Sequence, residues 1–263
     1  MTNFAMNNLI VMWQNFLLVS LRAFCLLYFC PPWDSSFIPA MIRVFSILGL
    51  SLALTPVVSP FLPPFPASWN AGVFLVIREF LIGLGFGLVF RFVFAGIQMA
   101  GNLVAIQMGF GMATLLDPQT QAQNTLLAEL LVLVATLVFL AMNGHHALLR
   151  LLAQSYQEVP LETSISLPGS LFAYVPNLGR LMYSLAVQLL APVLALLFLT
   201  QVALGLVARS VPQIQVMIVG FPLTIALGFF FLSLTLMVAG PVLVDQFAAL
   251  KMPLTHIIEA WKD

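Results

Sequence analysis

Two uncharged apolar runs near the C-terminal end restrict the possible folds of this chain more than any other feature. Residues 181–208 and 210–244 contain no charged side chain, and only Arg209 separates them. Each run is longer than the roughly 20 apolar residues that a helix needs to cross a bilayer. The two runs therefore predict a helical hairpin in a membrane, turned at the sequence ARSVPQIQ.

The composition of the whole chain indicates the same environment. Hydrophobic residues make up 62% of the 263 residues and charged residues 7%, against roughly 25% charged in a typical soluble domain. Nine basic and nine acidic side chains cannot cover a water-facing surface of this size. The net charge of zero, with only two lysines, offers no basic patch for phosphates, so no nucleic-acid partner is expected.

Four further apolar segments precede the hairpin, and the predicted fold class is an all-α, polytopic helical membrane protein. No soluble domain is indicated between the segments. The first four carry charged residues within them or at their edges, whereas no charged residue lies within the last two, and this contrast divides the chain near Arg180 into parts 1–180 and 181–263. The six candidate segments are 9–29, 41–58, 74–101, 126–142, 181–208 and 214–244.

Prolines and ionisable side chains stand at positions that lipid tolerates poorly. Prolines inside or at the end of the last two segments predict kinked helices. Each charge at a bilayer centre costs about 2.5–3.5 kcal/mol, so several in one small bundle need partners or water. We therefore expect helices buried against other subunits. The residues concerned are Pro192, Pro222, Pro241, Arg22, Arg43, Arg78, Glu79, Arg91 and Glu129.

The third apolar segment combines small residues with an adjacent acid and base. Gly83, Gly85 and Gly87 in LIGLGFGLVF form a small face on which another helix can lie close, from this chain or from a different subunit. Arg78 and Glu79 are sequence neighbours and do not face each other on a helix. A structural ion pair with another segment or subunit is favoured over a proton relay, and these five residues are predicted to serve subunit packing.

Neither a metal site nor an active site can be assembled from the sequence. His145 and His146 are consecutive, so on a helix they point about 100° apart and cannot bind one ion without a turn. Asn143-Gly144 offers a turn, but no third ligand is near, and a helix terminus at the membrane interface accounts for the pair better. No combination of a nucleophile, a base and an orienting group has a sequence spacing that indicates an active site. We expect no enzyme and no cofactor.

The most unusual stretch is GFGMATLLDPQTQAQN, residues 109–124. Its glycines and Asp-Pro break a helix, and its amides form hydrogen bonds without net charge. Methionines add pliable apolar side chains. These properties suit a re-entrant plug in a protein-lined pore, and they also suit an ordinary loop between helices. The candidate plug residues are Met108, Gly109, Phe110, Gly111, Met112, Leu115, Asp117, Pro118 and Gln119.

Three sequence blocks resemble signatures of a known family. They are GMATLLDPQTQAQ (111–123), FLAMNGHHALLRLL (139–152) and VPQIQVMIVGFPLTIALG (211–228). In this order and at these separations they are similar to the FliR/SctT family, which comprises flagellar type III secretion export-gate proteins and their injectisome counterparts. The resemblance covers nearly the whole chain.

The resemblance implies a single subunit assembled with several FliP-like and FliQ-like subunits into a closed helical gate, with a FlhB-like protein beside it. It implies that the part up to residue 180 is FliP-like and that the last part is a FliQ-like hairpin. Much of such an assembly stands on the periplasmic side of the bacterial inner membrane, at the flagellar basal body.

The family also has a loop that projects into the pore and helps to seal it. Carried over, this loop falls on Gly109 to Gln123, within a plug region at about 106–124. Met108, Phe110, Met112 and Leu115 would then form an apolar seal, with Asp117 and Gln119 as polar anchors. The implied function is a pore-forming component that passes unfolded flagellar subunits and whose pore this loop helps to close.

Other functions remain open at this point. An injectisome gate would share the same blocks. A stand-alone secondary transporter would use Arg78, Glu79 and Glu129 as its polar site, although no inverted repeats are evident. An intramembrane enzyme or metal carrier would depend on His145 and His146.

Overall fold

The computed structural model describes residues 2–30, 33, 38–62, 65–66, 68–110, 126–159, 169–210 and 216–260. Every regular element within these ranges is a helix. A short 3-10 turn, Ser59–Phe61, follows the second helix. The α-helices are α1 (Thr2–Tyr28), α2 (Ala40–Val58), α3 (Trp69–Met108), α4 (Leu126–Ala141), α5 (Gly144–Glu158), α6 (Gly169–Ser210), α7 (Val216–Ala249) and α8 (Lys251–Ala260).

Five helices of the described part are long and apolar enough to cross a membrane. The pair α4 and α5 adds a sixth span if it is counted as one broken crossing, since it bends by 67° at a short break. Asn143 stands at this break in a left-handed conformation, with φ of 60°. The prediction of an all-α polytopic membrane protein is confirmed.

Helix α5 is absent from the six segments expected from the sequence. Its buried residues follow helical spacing at Gly144, Leu148, Leu152, Ser155 and Tyr156, while the remaining face is largely polar. A search for continuous apolar runs misses such an amphipathic helix, because only one stripe of it faces the protein interior.

The chain divides into two compact units. One comprises Met1–Arg91, Asn143–Leu178 and Ala249–Asp263. The other comprises Phe92–Met142 and Gly179–Ala248. The sequence resemblance predicts a FliP-like part up to residue 180 and a FliQ-like part after it. Those parts are defined by similarity to other proteins, and the division stays a prediction.

In the first unit, α1 lies directly against two glycines of α3. A Cβ atom on Gly83 would come within 2.7 Å of Arg22 O, and one on Gly87 within 2.6 Å of Cys25 O. The two glycines are four residues apart, so they share one helix face. The structure therefore shows that these glycines allow close packing within the chain, which is one of the two uses expected for them.

In the second unit, glycines further along α3 allow two more close approaches. A Cβ on Gly96 would come within 2.7 Å of Met182 O on α6, and one on Gly101 would overlap Ala128 Cα on α4. Phe94, Phe139 and Phe247 pack together nearby, with ring centroids 5.4–6.3 Å apart, and so join α3, α4 and α7. The core of this unit is thus built around the second half of α3.

Helices α6 and α7 contain the two uncharged runs, and the turn expected at ARSVPQIQ falls on residues 211–215, outside the described residues. Gln246 Nε2 donates to Gln188 Oε1 at 3.2 Å, which joins the two helices. Pro222 and Pro241 lie inside α7, and Pro192 lies within the range of α6. Both helices continue past these prolines, and the kinks expected there stay predictions.

Replacing Gly101 with Ala should destabilise the chain by about 1–3 kcal/mol, the usual cost of overpacking, because the new Cβ meets the backbone of Ala128. Gly205→Ala is the matched control, since nothing lies within 4 Å of that position in α6. The control should be neutral or slightly stabilising through better helix propensity. Thermal unfolding in mild detergent measures both changes, and equal effects would contradict the packing assigned to Gly101.

Candidate functional site at the end of α3

The C-terminal end of α3 lies immediately before the stretch that the sequence singles out as a plug. Gly109 follows the last helical residue with φ of +96°, a conformation that favours glycine. Its N–H donates to Ile106 O at 3.0 Å, and Phe110 N–H donates to Ala105 O at 3.0 Å. This pair of bonds is the Schellman motif, which satisfies two of the four carbonyls left open at a helix end.

Side chains from α6 and α7 satisfy the other two carbonyls. Gln201 Nε2 on α6 donates to Gln107 O at 2.9 Å. Thr224 Oγ1 on α7 lies 3.2 Å from Met108 O and 3.1 Å from Phe221 O in its own helix. Each of the last four carbonyl groups of α3 therefore lies within hydrogen-bond distance of a donor in the chain, and the single Thr224 proton is shared between Met108 O and Phe221 O.

Close packing accompanies these hydrogen bonds. Met108 is fully buried, and its side chain fills the space that a Cβ on Gly228 would occupy, 2.5–2.7 Å away. A Cβ on Gly109 would come within 2.5 Å of the Phe221 ring. The rings of Phe110 and Phe229 meet edge to face at 6.4 Å. The end of α3 is thus fixed against α7 by packing as well as by polar contacts.

Three of the predicted plug residues belong to this anchored end. They are Met108, which closes the helix, and Gly109 and Phe110, which form the motif that terminates it. The other six lie outside the described residues: Gly111, Met112, Leu115, Asp117, Pro118 and Gln119. Their roles as seal and anchors stay predictions.

A second polar cluster is buried in the first unit. Arg22 of α1 donates through Nε and Nη2 to the two carboxylate oxygens of Glu79 on α3, at 2.7 and 2.6 Å. Its Nη1 donates to Ser155 Oγ on α5 at 2.8 Å, and Ser155 Oγ donates onward to Leu152 O. The guanidinium also covers the ring of Tyr156, with Cζ 3.8 Å from the centroid.

This cluster ties three helices together away from solvent. Arg22, Glu79 and Ser155 are 0% exposed. A bidentate pair has well-defined geometry, but removing one partner of a buried pair typically costs 3–5 kcal/mol because a charge is left alone. The structural ion pair predicted for the Arg78-Glu79 position is therefore found at Glu79, and its partner belongs to the same chain.

The remaining singled-out residues have more ordinary surroundings. A Cβ atom added to Gly85 would make only an ordinary van der Waals contact with Ile257, at 3.6 Å. Glu129 is exposed in the first turn of α4, where the helix dipole favours an acid. The packing of Gly83, Gly85, Gly87, Arg78 and Glu79 against a separate subunit stays a prediction.

The two histidines lie at the start of α5, directly after the bend. Their ring centroids are 4.2 Å apart. Among the residues that the structure describes, no group of three His, Cys, Asp or Glu residues is placed to hold a metal ion.

Comparison with known proteins decides the family. Residues 13–250 match the family described as bacterial export proteins, family 1. The chain belongs to this family. The match covers most of the sequence, including both the buried ion pair and the end of α3, so the resemblance expected from the three sequence blocks is confirmed.

Several similar proteins are flagellar biosynthetic proteins FliR. The flagellar biosynthetic protein FliR of Bacillus subtilis (strain 168) is 34% identical over 245 residues, covering 92% of this chain and 94% of that protein. FliR of Pectobacterium carotovorum subsp. carotovorum is 34% identical over 196 residues, 74% and 75% of the two chains. FliR of Escherichia coli (strain K12) is 29% identical over 240 residues, 90% of each.

Sequence reasoning missed the side chains that hold the end of α3 in this family member. Gln201 and Thr224 lie 94 and 116 positions from their acceptors. Thr224 does fall inside the block VPQIQVMIVGFPLTIALG, and both residues lie in long, mostly apolar helices. Their polarity was the available signal, since a polar side chain in such a helix usually has a hydrogen-bond partner.

The ion pair makes a sharp stability prediction. Glu79→Gln should cost about 3–5 kcal/mol, because Arg22 then stays buried without a counter-charge. The double variant Arg22→Leu, Glu79→Leu should lose less than either single leucine variant, since no lone charge remains. Glu129→Gln, on the exposed start of α4, should change stability by less than about 0.5 kcal/mol. Denaturation in detergent tests this order, and additive losses in the double variant would contradict it.

Proposed function

We propose that this chain is a structural and pore-forming component of the flagellar type III protein export gate in the bacterial inner membrane. As a member of its family the chain is an export component. The observation that carries the finer proposal is the anchored end of α3. It precedes an amide-rich segment with a single charged side chain, residues 111–125, which we propose helps to close the pore.

The chemistry of that segment suits a reversible seal. Residues 111–125 contain one charged side chain, Asp117, and several amides and apolar residues. Neutral amides lose less than full charges when they leave water, so such a segment can pack inside a closed channel. It can also yield to an unfolded polypeptide without breaking buried ion pairs. The anchored root would keep the segment at the pore in both states.

The lengths of the helices support an assembly that extends past the bilayer. Helices α3 and α6 have 40 and 42 residues, which at 1.5 Å per residue gives about 60 Å each. A bilayer's hydrocarbon core is about 30 Å thick. Part of each helix must then lie outside the hydrocarbon or tilt strongly within it. We propose that the outer part stands on the periplasmic side, at the flagellar basal body.

The surface of the hairpin supports partner subunits. Of the residues in the most apolar stretch of α6, only 17% are buried within the chain, against 44% in the corresponding stretch of α3. Gln188 and Gln201 are exposed on α6 among its apolar residues. Amides facing hydrocarbon are costly, and within the described part of the chain each of these forms one hydrogen bond. We propose that FliP-like and FliQ-like subunits cover this surface, with a FlhB-like protein beside the complex.

The arrangement does not favour a stand-alone transporter. Of the three residues that such a transporter would use, Glu79 is fully buried and both its oxygens accept bonds from Arg22. A solute could reach it only by breaking this pair. The buried Arg22–Glu79 pair instead suits a structural role. Unfolded flagellar substrates would then pass through another part of the assembly.

Removing the segment tests the proposed function. Deleting residues 111–120, or replacing them with a glycine-serine linker of equal length, should make cells expressing the complete gate leaky to ions. Both variants keep Phe110 and its contact with Phe229, so the complex should still be recovered with its FliP-like and FliQ-like partners. Membrane conductance or the influx of a small dye is the measurement.

Leu137→Ala is a suitable control, since this side chain is exposed on α4 and its loss should leave permeability unchanged. Intact complexes that remain tight to ions after deletion of residues 111–120 would rule out a closing role for the segment.

A further inference from the structure

We propose that a groove between α6 and α7 binds one acyl chain of a membrane phospholipid whose headgroup carries an amine. The groove has a volume of about 400 Å³ and mainly apolar walls. Both helices contribute to it from the second compact unit, so the whole site lies within one unit. The residues that line it include Gln188, Pro192, Leu196, Phe231, Ala239 and Val242.

The length of the groove matches one leaflet of a bilayer. On α7 the lining runs from Phe231 to Val242, and these eleven positions at 1.5 Å each span about 16 Å. Half of a hydrocarbon core that is about 30 Å thick is about 15 Å. An acyl chain that enters the groove at the headgroup level therefore has room along most of its length.

The groove is too narrow to hold a helix of another protein. Over a length of about 16 Å, a volume of about 400 Å³ gives a mean cross-section of about 25 Å². A helix with its side chains is about 10–12 Å across, which corresponds to roughly 80–110 Å². A single extended hydrocarbon chain is the slender apolar occupant that a membrane supplies.

The walls of the groove are open to the surroundings of the chain. Leu196 on α6 is 36% exposed and Leu234 on α7 is 45% exposed, so an acyl chain can enter from the side. Apolar atoms that line an empty space lose dispersion contacts, and an acyl chain restores them. Partner subunits that cover α6 would then pack over a filled groove.

One end of the groove lies beside a charge. Asp245 follows Val242 by three positions, so the two side chains are neighbours on one side of α7. Asp245 is exposed, and because a charge in hydrocarbon is costly, this end belongs at the level of the lipid headgroups. Helix α7 carries no charge from Val216 to Val244. The groove therefore runs from the headgroup level into the apolar part of the helix.

The same end presents a negative charge and hydrogen-bond acceptors. Within the described part of the chain, Asp245 forms no salt bridge. Gln188 O lacks the usual helical donor, because Pro192 has no N–H group. A headgroup ammonium supplies both a positive charge and three donors. A headgroup with a net negative charge and no amine would be repelled by the carboxylate. These features favour an aminophospholipid.

Lipid photolabelling locates the occupant in the assembled gate. The gate is reconstituted in vesicles of phosphatidylethanolamine with a photoreactive group on the acyl chain, and labelled residues are identified by mass spectrometry. Labels should concentrate at residues 188–196 and 231–242, above the level at Leu206 and Phe230, which are exposed apolar residues outside the groove. Even labelling of all exposed apolar residues is the pattern of bulk lipid and would overturn the site.

Filling the groove should exclude the lipid chain. Ala239→Leu adds a bulky apolar side chain to the groove wall and should lower the labelling of residues 188–196 several-fold. Ala203→Leu makes the same change at an exposed position of α6 outside the groove and should leave the labelling unchanged. Full labelling in an Ala239→Leu gate that is recovered with its partner subunits would overturn the proposal. If that variant is not recovered, the labelling pattern of the unaltered gate decides.

The headgroup is tested with equal amounts of phosphatidylethanolamine and phosphatidylglycerol that carry the same photoreactive chain. The unaltered gate should prefer the amine lipid by about two- to fivefold, the range expected for an exposed ion pair. Asp245→Asn should abolish this preference and keep the groove labelled. Glu259→Gln removes an exposed acid on α8 and should keep the preference. A preference that survives Asp245→Asn, or that the unaltered gate lacks, would overturn the assignment of the headgroup.

Discussion

Hydrogen bonds to the backbone at the end of α3 fix the point from which the proposed plug segment starts. A helix end leaves four carbonyls open, and at the end of α3 a Schellman motif and two side chains from other helices lie within hydrogen-bond distance of them. Because those donors come from α6 and α7, the hairpin and the end of α3 cannot be placed independently. These contacts therefore fix the position at which the following segment begins.

Two further kinds of contact hold the helices in place. Glycines at 83, 87, 96 and 101 let α1, α6 and α4 approach the backbone of α3, which matters because the hydrophobic effect does not drive helices together in lipid. The Arg22–Glu79 pair adds a bond that only one register of α1 against α3 can form.

Much of this could be read from the sequence, and the failures have identifiable causes. Long uncharged runs located the hairpin, and glycine spacing located the close approaches, since both are local signals. The partner of Glu79 lies 57 positions away in Arg22, and no local pattern pairs them. Helix α5 was missed because its apolar stripe is narrow. Gln201 and Thr224 were missed because backbone acceptors leave no trace in the sequence.

Photocrosslinking from the proposed plug segment to a stalled export substrate tests the central claim most directly. A photoreactive residue would replace Leu115 in the complete gate, and cells would express a flagellar subunit fused to a domain that blocks its passage. The account predicts crosslinks between position 115 and the stalled chain, and none when the substrate lacks its export signal. A stalled substrate that never crosslinks to position 115, in a gate that still exports normally, would contradict it.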